Sequence, residues 1–176
     1  RPASSVSARY PSLFQVNTRV WLTDLARPLG RPATLDDIPD EDLDLWASRG
    51  FDWIWLLSVW RTGAAAQRIS RTNPEWRHEF EHTLPDLRDE DIAGSGFAIT
   101  GYTVHPQLGG DAALARIRQR LRDRGLRLML DFVPNHTAPD HPWAEEHPEY
   151  YIAGTESDLV QQPQNLEVCL VGDDRQ

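Results

Sequence analysis

No lysine occurs in this 176-residue chain: all 18 of its basic residues are arginine. Without an ε-amine, Schiff-base catalysis and the phosphate-gripping lysine of P-loops are excluded. The single cysteine, Cys169, can form neither an internal disulfide nor a thiolate zinc site. No apolar run exceeds the length of one strand, so no membrane-spanning helix is expected. The first residues lack the apolar stretch of a secretory leader, which points to a cytoplasmic rather than a secreted protein. The only methionine is Met129, so a chain that opens at Arg1 is expected to lack its natural N-terminus. Positive charge is also scarce. With 27 acidic residues against 18 basic the net charge is −9, which argues against nucleic acid or an anionic membrane surface as partner.

What is present is ordinary globular material, 40% hydrophobic and 26% charged, enough for one domain with a real core. Phe14, Val16, Thr18, Val20 and Leu22 alternate with polar or aromatic neighbours and predict a first strand. A Pro- and Asp-rich loop from Arg27 to Asp40 leads to a helix with Asp40 as its N-cap. Leu43, Leu45 and Trp46 form its apolar side, and Gly50 lies just past its end. A second strand is predicted from Trp53 to Val59. The polar stretch from Trp60 to Thr100 is too long for a simple connection and reads as a functional loop or an inserted subdomain. A third helical stretch is expected from a cap at Asp111 through Arg124. It has Leu114, Ile117 and Leu121 on one stripe and a solvated face of arginines. Gly125 ends it, and Leu126 to Val133 reads as a strand covered on both faces, stopped by Pro134.

Strand, helix, strand, loop, helix, strand specifies right-handed βαβ crossovers and a parallel sheet. Asp131, Asn135 and His136 then gather at the carboxyl end of a strand, which is where parallel α/β folds bind ligands.

A competing motif is His78-Glu79-Phe80-Glu81-His82, which fits H-E-x-x-H letter for letter. On a helix its two imidazoles would share a face and could hold Zn²⁺ with Glu79 as base, the site of a zinc metallopeptidase. Against this, Pro74 and Pro85 leave a short, charged helix, and no nearby third ligand follows. A solvated segment of the insert is the plainer reading.

Gly50-Phe51-Asp52-Trp53-Ile54-Trp55-Leu56-Leu57-Ser58-Val59-Trp60, then Gly101-Tyr102-Thr103-Val104, then Asp131-Phe132-Val133-Pro134-Asn135-His136 resemble the α-amylase family of glycoside hydrolases. The likeness extends through Thr137 to Trp143 and Glu146 to Tyr151, so residues 13 to 154 are covered in order. It implies a partial (β/α)8 TIM barrel. Residues 1–154 would hold its first three strands, with a long loop inserted between the second strand and its helix. Residues 155–176 would begin an insertion after the third strand, or be an unrelated tail in which Cys169 to Asp174 starts another strand.

The resemblance further implies that Tyr102 stacks under the sugar being cleaved and that His136 hydrogen-bonds that sugar. Asp131 would brace the site from beneath. Asn135 would either ligate a structural Ca²⁺ or cap the following turn. The bland alternatives are a structural histidine at His136 and a packed loop aromatic at Tyr102. Trp53 and Trp55 are expected in packing, Trp60 at a strand end where it could face sugar, and His105, His141 and His147 as surface or loop groups. No cofactor is required, and the partner is an α-glucan or α-glucoside. A retaining glycosidase needs two carboxyl groups about 5–5.5 Å apart. In the family these follow later strands, so no catalytic residue is expected in this chain and the segment alone should be inactive. The intact protein would be a glycosidase or transglycosidase. The alternative is a non-catalytic barrel relative, such as a transporter-associated subunit.

Overall fold

The computed structural model describes residues 10–161, so the expected strand over Cys169 to Asp174 lies outside them. Its elements in chain order are β1 (Leu13–Asn17), α1 (Thr18–Leu29), α2 (Asp40–Ser48), β2 (Trp53–Leu57), β3 (Trp60–Thr62), α3 (Ala64–Thr72), α4 (Pro74–Thr83), β4 (Ile99–Val104), α5 (Gly110–Asp123), β5 (Arg127–Met129), α6 (Trp143–Glu146) and α7 (Glu156–Gln161). β1, β2 and β5 form a three-stranded parallel sheet in that order. The register pairs Leu13 with Trp53 and Trp53 with Arg127. This is the partial α/β barrel that the sequence predicts.

The described residues divide into two compact units, 10–61 with 102–133, and 62–101 with 134–161. The first unit contains the parallel sheet and one apolar core. Ile54 and Leu56 of β2 point into it with Leu43, Trp46, Ile117, Leu121 and Leu126. Each such aliphatic side chain contributes about 1.5–3 kcal/mol by leaving water. α2 and α5 are thereby fixed on the sheet by one stripe each. The stripe of α5 is Ala113, Ile117 and Leu121, with Leu114 only partly buried. Leu45, expected on the apolar side of α2, is instead 42% exposed.

Several expected boundaries shift, each for a local reason. The first strand stops at Asn17 rather than Leu22, because the Asn17 side chain accepts the Val20 N–H (3.4 Å) and starts α1. Thr18 and Leu22 are buried as an i, i+4 pair while Val20 is exposed, a helical pattern that mimics alternation over five residues. α1 then occupies the start of the expected loop and ends at Gly30 in the left-handed conformation. Pro39, not Asp40, precedes the first turn of α2. Gly109, not Asp111, precedes α5, and the Asp111 carboxylate instead accepts the Val104 N–H at 2.8 Å. β2 ends at Leu57, two residues before the predicted Val59. The last strand is the largest correction. β5 covers only Arg127–Met129, is exposed at both of those positions, and pairs with β2 alone. Leu130 to Val133 leave the ladder because Asp131 takes its hydrogen bonds from elsewhere in the first unit.

The long connection is not a plain loop. In the second unit it forms α3, α4 and a 3-10 turn at Asp89–Asp91. The segment after Pro134 joins the same unit, where the Ala138 N–H donates to the Ile99 carbonyl (2.9 Å) and the Thr137 and Tyr151 hydroxyls meet at 2.9 Å. The Asp140 carboxylate accepts the Ala65 N–H at the start of α3 (3.0 Å). Gly63 makes room for it: a Cβ there would lie 1.9 Å from an Asp140 oxygen.

Candidate active site

At the carboxyl end of the parallel sheet in the first unit, Asp131 collects three donors from β2 and the residues after it, two on its carboxylate and one on its backbone carbonyl. The Trp55 indole N–H donates to Asp131 Oδ1 (2.8 Å), and the Ser58 backbone N–H donates to Oδ2 (2.6 Å). The Trp60 indole N–H reaches the Asp131 backbone carbonyl (2.8 Å). Asp131 is buried, at 8% exposure, so both carboxylate oxygens and the main chain are held without help from bulk water. Ser58 can deliver its amide because its φ is +61°, and it is the only non-glycine residue at positive φ among the described residues. The expectation that Trp55 and Trp60 serve packing or face sugar misses this hydrogen bonding. A tryptophan at each end of a Leu-Leu-Ser-Val run is the signal, since a buried indole N–H usually finds an acceptor.

Beside this carboxylate lies an aromatic cluster. The Tyr102 ring is 47% exposed and stands edge-on to Trp60 at 5.3 Å. Phe132, which follows Asp131, is 76% exposed with its ring 6.0 Å from Tyr102. The Val133 N–H donates to the Tyr102 phenol oxygen (2.9 Å), tying the ring to the segment that carries Asp131. Exposed ring faces of this kind offer apolar contact to the C–H face of a sugar. Nearby in the first unit, His105 has its pKa pushed below the usual histidine value, by burial first and then by the positive charges of Arg19 and Arg61.

Of the four predicted site residues, Asp131 and Tyr102 lie together in the first unit, joined through Val133. Asn135 and His136 lie in the second unit, where both are exposed. There the Asn135 amide nitrogen faces His136 Nδ1 at 3.4 Å. That amide nitrogen can only donate, so the contact uses Nδ1 as acceptor and leaves Nε2–H to donate to a hydroxyl.

Also in the second unit, His78 and His82 sit exposed on α4. Among the described residues, no group of three or more His, Cys, Asp or Glu is placed to hold a metal ion. His141, expected as a surface or loop group, lies in the loop before α6 but is buried at 8% exposure, with Nδ1 accepting the Trp143 N–H at 3.1 Å. No helix among the described residues is long and apolar enough to cross a membrane.

Comparison with known proteins follows the same lines. The family described as alpha amylase, catalytic domain, matches residues 41–167. An alpha-1,4-glucan:maltose-1-phosphate maltosyltransferase of Salinibacter ruber is 34% identical over 124 residues, 68% of this chain and 17% of its own. An alpha-glucosidase of Apis mellifera is 38% identical over 77 residues, 39% of this chain and 14% of its own. The crystal structure of an alpha-amylase from Lactobacillus plantarum aligns with a TM-score of 0.48 at 24% identity, over 82% of this chain and 27% of that one. The chain thus spans well under a third of the length of these proteins.

Proposed function

Since this chain belongs to the α-amylase family, we propose that it supplies the substrate-facing floor of a retaining enzyme acting on α-glucosidic bonds. The observation that carries this reading is the half-exposed Tyr102 ring, pinned through Val133 beside the buried Asp131 at the carboxyl end of a parallel sheet. In this reading Tyr102, in the first unit, stacks on the sugar being cleaved; in the second unit His136 is a separate candidate, with Nε2–H to donate to a sugar hydroxyl. Asp131 and Asn135 brace the segments that carry those two groups. The bond-breaking carboxylates belong to later strands of the barrel. One attacks the anomeric carbon while the other protonates the departing oxygen. Water or an acceptor sugar then displaces the covalent carboxylate and restores the starting anomer.

Asn135 would offer its amide oxygen as one ligand of a structural Ca²⁺, whose remaining places carboxylates, carbonyls and waters would fill.

The test is anomer-resolved proton NMR of the complete gene product acting on a maltooligosaccharide. Initial release of the α-anomer supports retention, and initial release of the β-anomer overturns it. A folded protein that turns over no α-glucoside would instead be the non-catalytic relative.

A further inference from the structure

We propose that Trp55, Ser58 and Trp60 are positioning residues for the sugar platform, acting on Tyr102 through Asp131 and Val133. This deepens the preceding reading and rests on it. The chain of contacts lies wholly within the first unit. Two indole N–H groups and one left-handed amide fix Asp131 at three acceptor atoms, at 2.8, 2.6 and 2.8 Å. Two residues on, the Val133 N–H holds the Tyr102 hydroxyl at 2.9 Å. The backbone between Asp131 and Val133 has no ladder partner, since β5 ended at Met129. Its conformation is therefore set by what grips Asp131, and through Val133 it sets where the Tyr102 ring stands. Trp60 acts twice, because its ring also meets the edge of Tyr102 at 5.3 Å. Phe132 projects from the gripped segment at 76% exposure, so the same grip places a second aromatic face.

A purely structural role for these residues would spread any loss over the whole fold. A positioning role localises it to the gripped turn and to Tyr102. The experiment uses the complete gene product carrying Trp55→Phe, which keeps an aromatic ring and removes the indole N–H, alone and combined with Tyr102→Ala. Amide hydrogen exchange is measured at Ser58 and Val133, and kcat/KM is measured on a maltooligosaccharide.

Trp55→Phe is expected to speed exchange at both amides about tenfold with β2 unchanged, the loss of one hydrogen bond to a carboxylate. It is expected to lower kcat/KM by a similar factor when Tyr102 is present, and to have no further effect in the Tyr102→Ala background. Unchanged exchange at Val133 would overturn the inference whatever the enzyme does. So would additive losses in the double variant. If Tyr102→Ala alone leaves turnover untouched, the sugar-platform reading fails, while exchange still decides whether the grip reaches Val133. Trp60→Phe supplies an independent second variant: it keeps a ring, removes the donor to the Asp131 carbonyl, and is expected to speed exchange at Val133 as well, whereas unchanged exchange there would overturn the inference.

Discussion

At the residue scale, the account turns on acceptors that have no substitute. Asp131 offers one oxygen to Trp55 and the other to Ser58. Asn matches its shape but turns one of those oxygens into a donor. Asp131→Asn should therefore set an NH₂ against a buried N–H and destabilise the first unit by about 1–3 kcal/mol. Chemical denaturation of the full chain checks this, and a cost below about 0.5 kcal/mol would mean that the two contacts are not made in solution.

His141 gives a prediction with a definite sign. Burial lowers its pKa below the ordinary 6.5, against the opposing pull of Asp140 and Glu146. The unfolded chain therefore binds the proton more readily than the folded one. The stability associated with neutral His141 is present above the unfolded value, and is lost as pH falls from there through the lower folded value. Comparing denaturation midpoints at pH 7.5 and 5.5 should show a larger acid loss for wild type than for His141→Asn.

At the element scale, an ion-pair ladder joins α5 to the segment leading into and through α2. Arg116, Arg120 and Arg124 meet Asp36, Asp40 and Asp44 at 2.6, 2.7 and 2.6 Å. The three carboxylates are exposed, as is Arg116, while Arg120 and Arg124 are mostly covered, so salt should screen the Arg116–Asp36 pair most. Arg120→Glu should lower the melting temperature, and the swapped pair Asp40→Arg with Arg120→Glu should recover part of the loss. Without recovery, the loss would be assigned to the Arg120 contact with the Ile38 carbonyl, or to Arg124, which also meets Asp40 at 3.1 Å.

The ladder also shows what was legible in the sequence. The spacing of Ile117 and Leu121 marks α5 and most of its inner face, with Ala113 rather than Leu114 completing it, but nothing local reveals which acids lie 80 residues earlier opposite the arginines. Conversely, Leu130, Phe132 and Val133 are apolar and β-prone, and their pattern extends the expected strand past the end of β5 at Met129. Only the long-range grip of Trp55 and Ser58 on Asp131 takes them off the ladder. Asp131 is legible because strand order places it at a sheet end, whereas Tyr102 is legible only through the resemblance of Gly101 to Val104 to the family. The indole donors are not legible in the sequence, because hydrogen bonding across strands has no spacing rule.

At the scale of the whole molecule, β1 and β5 each pair on one side only among the described residues. An unpaired strand edge is a template for association, so the chain on its own should run larger than a monomer in light scattering. A cooperative melt as a soluble monomer would contradict that expectation.

The central claim concerns sugar, and kcat/KM of the complete gene product on maltoheptaose, wild type against Tyr102→Ala, reaches it most directly. Removing an aromatic platform from under a bound ring should cost about 1.5–3 kcal/mol of transition-state binding, roughly a 10- to 100-fold fall. A Tyr102→Ala protein that turns over maltoheptaose at the wild-type rate would contradict the account.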